Sequence, residues 1–267
     1  MKIAICIKHV PVSEDVEIDS VTHSVRRIDA TCDMNPCDLN AMEMAAQLKK
    51  ATASVRARSA VRPLPSTMGP DGAATSLKKC LALGADEAYL LSDRSFAGRD
   101  TLGTARVLAD FVKRKSYDIV FTGAESSDGA TGQVGAMLAE LLGMPDVADA
   151  VSVEPDGAGA LLIGKKVQQG TLKIKARGPV LLAVPFGCNE PKLPTLRAQM
   201  KANHKEIHVL TGKDCDPSVL ENLEVKSVVT DVYPAPEANK QAKEITGTPK
   251  EIAVKIQKLL EGSEQDV

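Results

Sequence analysis

Over its first 145 residues the chain alternates short apolar runs with stretches whose apolar residues recur at helical spacing, joined by short links. Strand, helix, strand, helix in that order permits few folds. It predicts right-handed βαβ units assembled into an α/β, doubly wound, mostly parallel sheet. Residues 3–7 are apolar throughout, as a strand covered on both faces must be. Asn35-Pro36 supplies an N-cap and a first-turn proline for a helix carrying Leu39, Met42 and Ala46. Gly69-Pro70-Asp71-Gly72 is a turn; Leu77, Cys80 and Leu81 form a second helical stripe that stops at Gly84. Residues 88–91 read as a strand, and Asp100 or Thr101 caps a third helix bearing Leu102, Ala105, Leu108, Ala109 and Val112. Residues 118–121 are the next strand, and Val134, Met137, Leu138, Leu141 and Leu142 mark a fourth helix. One stretch resists. The second strand should lie near residues 60–67, where Arg62-Pro63-Leu64-Pro65 removes two ladder donors, so that strand is expected to be short, distorted or replaced by a loop.

After Pro145 the pattern changes. Residues 147–153, 161–167, 172–176 and 180–184 read as strands with turns such as Gln169-Gly170 and no helix between them, which predicts an antiparallel addition to the parallel core. Pro191 and Pro194 flank an extended loop, followed by a short helix and a strand at residues 206–210. The expected division is an α/β domain over residues 1–233 and a C-terminal helical arm over 234–267. The arm opens with the linker Pro234-Ala235-Pro236-Glu237-Ala238-Asn239. Thr248-Pro249-Lys250-Glu251 is a capping box, and Ile252, Ile256, Leu259 and Leu260 form one stripe stopped by Gly262. A helix this short is marginal alone, so its apolar face is expected to dock, on this chain or on a partner subunit.

Composition removes several function classes. Lys plus Arg is 33 and Asp plus Glu is 35, for a net charge of −2, without the basic excess of a nucleic-acid binder. Aromatics are 3% with no Trp, which argues against a base-stacking platform and against an interface built on aromatic anchors. No apolar run reaches the roughly 18–20 residues that span a bilayer, so no membrane insertion is expected. Residues 1–8 lack a cleavage pattern and read as a strand. The cysteines at 6, 32, 37, 80, 188 and 215 contain no C-x-x-C, which points to reduced thiols in a cytoplasmic protein. Of His9, His23, His204 and His208, only the last two share a face, and no acidic or thiol ligand is spaced to complete a metal site. There is no G-x-S-x-G and no legible Cys–His pair, so no catalytic nucleophile is assigned.

The most informative segment is Gly123-Ala124-Glu125-Ser126-Ser127-Asp128-Gly129-Ala130-Thr131-Gly132-Gln133, between a strand's carboxyl end and a helix start. Ligands of open α/β sheets bind at that edge, where small residues let amides approach a phosphate and the helix N-terminus favours negative charge. The loop holds no Lys or Arg, so amides and the hydroxyls of Ser126, Ser127 and Thr131 would carry the anion. It is neither a Walker A sequence nor a G-x-G-x-x-G, and an ordinary Gly-rich turn has the same composition. Asn35-Pro36-Cys37-Asp38 is a helix cap by spacing alone, and Met68-Gly69-Pro70 is a turn, yet both fall on the same edge.

Six short motifs in order give the chain a family resemblance. They are Lys8-His9-Val10-Pro11; Asn35-Pro36-Cys37-Asp38 with Ala41 and Glu43; Met68-Gly69-Pro70; and Leu83-Gly84-Ala85-Asp86. The last two are Asp128-Gly129-Ala130-Thr131-Gly132-Gln133-Val134-Gly135, and Asn189-Glu190-Pro191-Lys192-Leu193-Pro194-Thr195-Leu196 with Met200-Lys201. The chain resembles the β subunit of electron-transfer flavoproteins over nearly its whole length. The resemblance implies a fold like that of adenine-nucleotide hydrolases, without hydrolysis, and a heterodimer with an α subunit that carries the electron-transferring FAD. The β subunit would hold a structural AMP or, in the electron-bifurcating branch, a second FAD. By the family's pattern, cofactor contacts map to Cys6, Asn35, Pro36, Cys37, Asp38, Met68 and the loop from Gly123 through Val134. The resemblance makes the segment with Glu190, Pro191, Leu193, Leu196, Met200 and Lys201 the docking loop for an acyl-CoA-type dehydrogenase, with Leu196 as its apolar anchor. NADH and ferredoxin or flavodoxin are the further partners it implies. Asp128-Gly129, Thr131, Gln133-Val134-Gly135 and Ala139-Glu140 resemble the bifurcating branch and FAD, while Ala130 and Ala136 depart from it and residues 62–65 depart from both branches. An ATP-dependent ligase of the same fold would need a Ser-Gly-Gly-x-Asp-Ser type loop after the first strand. Val10-Pro11-Val12-Ser13-Glu14-Asp15 stands there instead. A self-pairing nucleotide sensor is the third reading.

Overall fold

The computed structural model describes residues 1–12, 31–55, 61–228, 230 and 244–260. These fall into two compact units, Met1–Thr230 and Asp231–Val267. The elements of the first begin with strands β1 (Lys2–Cys6), β2 (His9–Pro11) and β3 (Cys32–Met34), then helix α1 (Pro36–Val55). There follow β4 (Arg62–Met68), α2 (Ala74–Ala82), β5 (Tyr89–Leu91), α3 (Thr101–Lys115), β6 (Ile119–Gly123) and α4 (Gln133–Leu142). Next come β7 (Asp146–Val147), β8 (Ala150–Pro155), β9 (Leu161–Val167), β10 (Gly170–Ala176) and β11 (Val180–Val184). The unit closes with α5 (Leu196–Asn203), β12 (His208–Leu210) and α6 (Pro217–Glu221); α7 (Pro249–Leu260) belongs to the second.

Seven strands form one parallel sheet in the order β12-β5-β4-β1-β6-β11-β7. Strand alternation sends Ile3, Ile5 and Ile7 to the face covered by α1 and α2, and Ala4 and Cys6 to the face covered by α3 and α4. This is the doubly wound three-layer α/β architecture. The chain runs outward from β1 through β4 to β5, then returns to place β6 on the other side of β1. The reversal makes the carboxyl ends of β1 and β6 the switch point, where this class of sheet opens a crevice.

The two prolines do not break β4. Arg62 N donates to Met1 O at 3.0 Å, so by alternation the even-numbered amides of β4 face β1, and those of positions 63 and 65 would face β5. Pairing with β5 begins only at Ser66↔Tyr89. Pro63 and Pro65 therefore lack donors where no ladder asks for them, and β4 is a full seven-residue strand.

The antiparallel expectation is half right. β8, β9 and β10 form a three-stranded antiparallel sheet, but β7 and β11 belong to the parallel one. All five residues of β11 are buried, the signature of a central parallel strand rather than of a sheet with one wet face. Residues 147–153 are not one strand. Asp149 takes a left-handed φ of 55° and splits them into β7 and β8. His204 ends α5 and only His208 lies in a strand, so the two do not share a strand face. Positions 13–15, 23, 234–239 and 262 lie outside the described residues.

Candidate functional site

The crevice at the switch point is built by α1 as much as by the loop itself. Asn35 precedes α1, and its backbone oxygen accepts from Asp38 N and Leu39 N, each at 3.0 Å. Its side chain does not cap this helix. Asn35 Nδ2 donates to Glu125 O at 2.8 Å, and Asn35 Oδ1 accepts from Ser127 N at 3.2 Å. The side chain that reads as a cap is instead the strut that shapes the β6–α4 loop. Pro36 is exposed at the helix start, while Cys37 is buried behind it.

Asp38 ties the edge together. Its Oδ2 accepts from Lys8 N at 2.6 Å and its Oδ1 from Gly123 N at 3.0 Å, so one carboxylate joins the ends of β1 and β6. Burial pushes its pKa up to about 7, against these amide bonds, the Asn35 hydrogen bond and the Lys8 charge, which hold it down. The join requires glycine at position 123. A Cβ there would stand 2.3 Å from Asp38 Oδ1 and 2.8 Å from Cys37 Cβ.

From Gly123 the loop departs over the sheet edge. Ala124 N donates to Val184 O at the end of β11, at 2.8 Å. Ala130 N donates to Ser126 O at 2.8 Å, and Ala130 holds a left-handed φ of 46°, a strain of about 1–2 kcal/mol for a residue with a Cβ. Gly132 continues left-handed at φ 61° and enters α4. Glu125, Ser127, Gly129, Ala130, Thr131, Gly132 and Gln133 are exposed, and Val134 is half-buried. Gln133 Oε1 accepts from Thr101 Oγ1 at 2.9 Å. The Glu125 amide points at the Cys37 thiol, whereas those of Ser126, Gly129, Thr131 and Gly132 meet no acceptor among the described residues. A cluster of open amides at a helix start is suited to an anion.

Two predicted residues sit deeper. Cys6 ends β1, packed toward the α3 and α4 face, and burial pushes its thiol up to about 12, so it is an inert neutral wall. Met68 ends β4, half-buried against the same cluster. One residue of the edge has no place in the sequence-based site. Lys8, two positions beyond β1, turns its Nζ into the loop, 2.6 Å from Asp128 Oδ1 and 3.0 Å from Ser126 Oγ. The signal for it was its register, since any residue just past β1 falls on the carboxyl edge.

The second predicted segment lies elsewhere on the first unit. Leu193, Leu196 and Met200 are 88%, 74% and 60% exposed, and Phe186 joins them at 74%. Glu190 and Lys201 are exposed beside them and Pro191 is half-buried. Thr195 caps α5, its Oγ1 accepting from Ala198 N at 3.2 Å. The loop is anchored from below by α1. Asn40 Nδ2 donates to Asn189 O and Oδ1, both at 2.8 Å, and Asn40 Oδ1 accepts from Gly187 N at 3.2 Å. Glu43 Oε2 accepts from Lys192 N at 3.3 Å.

Sheet order, switch-point crevice and open-amide loop define a doubly wound α/β protein with an anion-suited carboxyl edge. The model of the electron transfer flavoprotein domain matches residues 25–214. The chain is 37% identical over 217 residues to the electron transfer flavoprotein subunit beta of Thermoanaerobacterium thermosaccharolyticum, covering 81% of this chain and 80% of that one. It is 34% identical to the caffeyl-CoA reductase-Etf complex subunit CarD of Acetobacterium woodii, covering 80% and 79%. With Protein FixA of Rhizobium leguminosarum bv. phaseoli it shares 31% identity, covering 96% and 93%. The chain belongs to the electron transfer flavoprotein family, among its β subunits. Membership makes it an electron-transfer protein that works with a partner chain.

Proposed function

We propose that this chain is the β half of a heterodimer whose α subunit carries the electron-transferring FAD. Its switch-point loop holds a second adenine-containing cofactor, and the observation that carries this is the cradle at Gly123. There Asp38 and Asn35 fix a loop of open amides in a place a Cβ would fill. Lys8 adds a positive charge to it. These residues suit a pyrophosphate or phosphate, and the resemblance of Gln133-Val134-Gly135, the first turn of α4, to the bifurcating branch supports FAD over AMP. A bound flavin supplies the one- and two-electron chemistry, while this chain's residues bind, orient and desolvate. Cys6, neutral and buried, contributes no redox group of its own.

The exposed Phe186, Leu193, Leu196 and Met200 form the surface on which a partner dehydrogenase docks, Leu196 entering its pocket. The name of the CarD relative places that protein in a complex with a CoA-ester reductase, which supports an acyl-CoA-type dehydrogenase as partner here. NADH as donor, and ferredoxin or flavodoxin as a second acceptor, follow if electrons bifurcate. The test is a cofactor count on the purified αβ complex. Two FAD and no AMP per heterodimer is the expected result. One FAD with one AMP makes this a simple carrier, and a β subunit that takes up neither overturns the nucleotide reading.

A further inference from the structure

None of residues 123–133 is Lys or Arg, and the fold remedies this from the other side of the switch point. The Lys8–Asp128 pair is lopsided. The Asp128 side chain is 5% exposed and that of Lys8 is 41% exposed, so the carboxylate lies behind the ammonium and the ammonium faces out. Gly129 leaves the approach clear: even a Cβ there would stand 3.4 Å from Ser126 Oγ and 3.8 Å from Lys8 Nζ. An ammonium has three donors. Asp128 and Ser126 take two of them, and the third is left for a ligand beside Gly129, whose amide is open. A half-exposed ion pair contributes little to folding, so stability is a poor reason for this arrangement. An oriented cation next to unpaired amides is instead the constellation that phosphate recognition uses.

We propose that Lys8 is the side chain that recognises the ligand's phosphate, and that Asp128 and Ser126 hold its ammonium in position for that contact. The proposal rests on the nucleotide reading of the loop and adds its selectivity: phosphorylated adenine compounds over the bare nucleoside. The adenine end of the ligand owes nothing to Lys8.

The test uses the αβ complex stripped of exchangeable nucleotide, with AMP and adenosine as probes in calorimetric titrations. Lys8→Gln is expected to weaken AMP about ten- to a hundredfold, the loss of one charge-assisted hydrogen bond, and to leave adenosine unchanged. Lys8→Arg is expected to restore most of the AMP affinity. Asp128→Asn keeps the shape, removes the counter-charge and is expected to tighten AMP several-fold with no effect on adenosine. Equal losses for AMP and adenosine in Lys8→Gln would mean that Lys8 only shapes the loop, and unchanged AMP binding would mean that it does not reach the phosphate; either overturns the proposal. If Lys8→Gln does not fold, AMP binding by Asp128→Asn that is unchanged or weaker does the same. A wild-type complex that takes neither AMP nor FAD is a different failure, that of the nucleotide reading itself.

Discussion

Asp38 is the residue on which the sheet edge turns. It is enclosed by protein, yet both its oxygens accept backbone amides, and burial wins, lifting its pKa to about 7. In the unfolded chain an aspartate ionises near 3.9. The folded state therefore holds this proton more tightly, and the stability gained from it is fully present below about pH 4 and lost as pH rises through about 7. Urea denaturation of the wild type between pH 4 and 8 is expected to show this decline, and Asp38→Asn to lack it. Asn offers one oxygen to two donors, so the same variant is expected to be less stable by roughly 1–3 kcal/mol at the acidic end. Spacing alone places Asp38 only in the first turn of a helix, and the resemblance makes it a cofactor contact; neither shows that its carboxylate joins the ends of β1 and β6. Lys8 was missed for a related reason. Its partners Ser126 and Asp128 lie 118 and 120 residues away, and no local pattern encodes so distant a contact.

Helix α1 serves both ends of the proposed function. Its entry carries Asn35 and Asp38 to the β6–α4 loop, and one turn later Asn40 and Glu43 reach the loop before α5. Asn40 is 1% exposed, and both polar atoms of its side chain and its backbone oxygen are joined to Gly187 or Asn189. Asn40→Ala is expected to cost about 1–3 kcal/mol in denaturant midpoint, since it strands buried partners. It is also expected to speed proteolysis within residues 186–196. A variant as protease-resistant as wild type would show that the loop needs no such clamp. At this scale the sequence was legible wherever periodicity decides: α2, α3 and α4 fall where their stripes put them. It was illegible where a neighbour decides. Two prolines argue against a strand until one sees that β5 starts late, and Val180 to Val184 resembles one more hairpin strand until its second face is found to be covered.

Among the described residues, both apolar clusters are drawn from Met1–Thr230. A chain ending at Thr230 is therefore expected to keep the wild-type melting transition of this unit. In the second unit Thr248 N and Oγ1 both donate to Glu251 Oε2, at 2.8 and 2.9 Å, so α7 starts with the Glu251 side-chain half of a capping box. Ile256, Leu259 and Leu260 are exposed along it. We propose that this face docks on the α subunit, so the truncated chain is expected to bind that subunit more weakly in sedimentation or calorimetry. Equal affinity would remove the helix from the assembly. The remaining feature is the bond from Ala124 N to Val184 O, which fastens the start of the loop to the last-arriving inner strand. Some sixty residues of chain, including a whole antiparallel meander, separate the two. On the ribosome, β1, β4 and β6 emerge long before that fastening exists. The start of the loop can consequently be fastened only once the meander has been made, and a cofactor meets a finished seat only from then on.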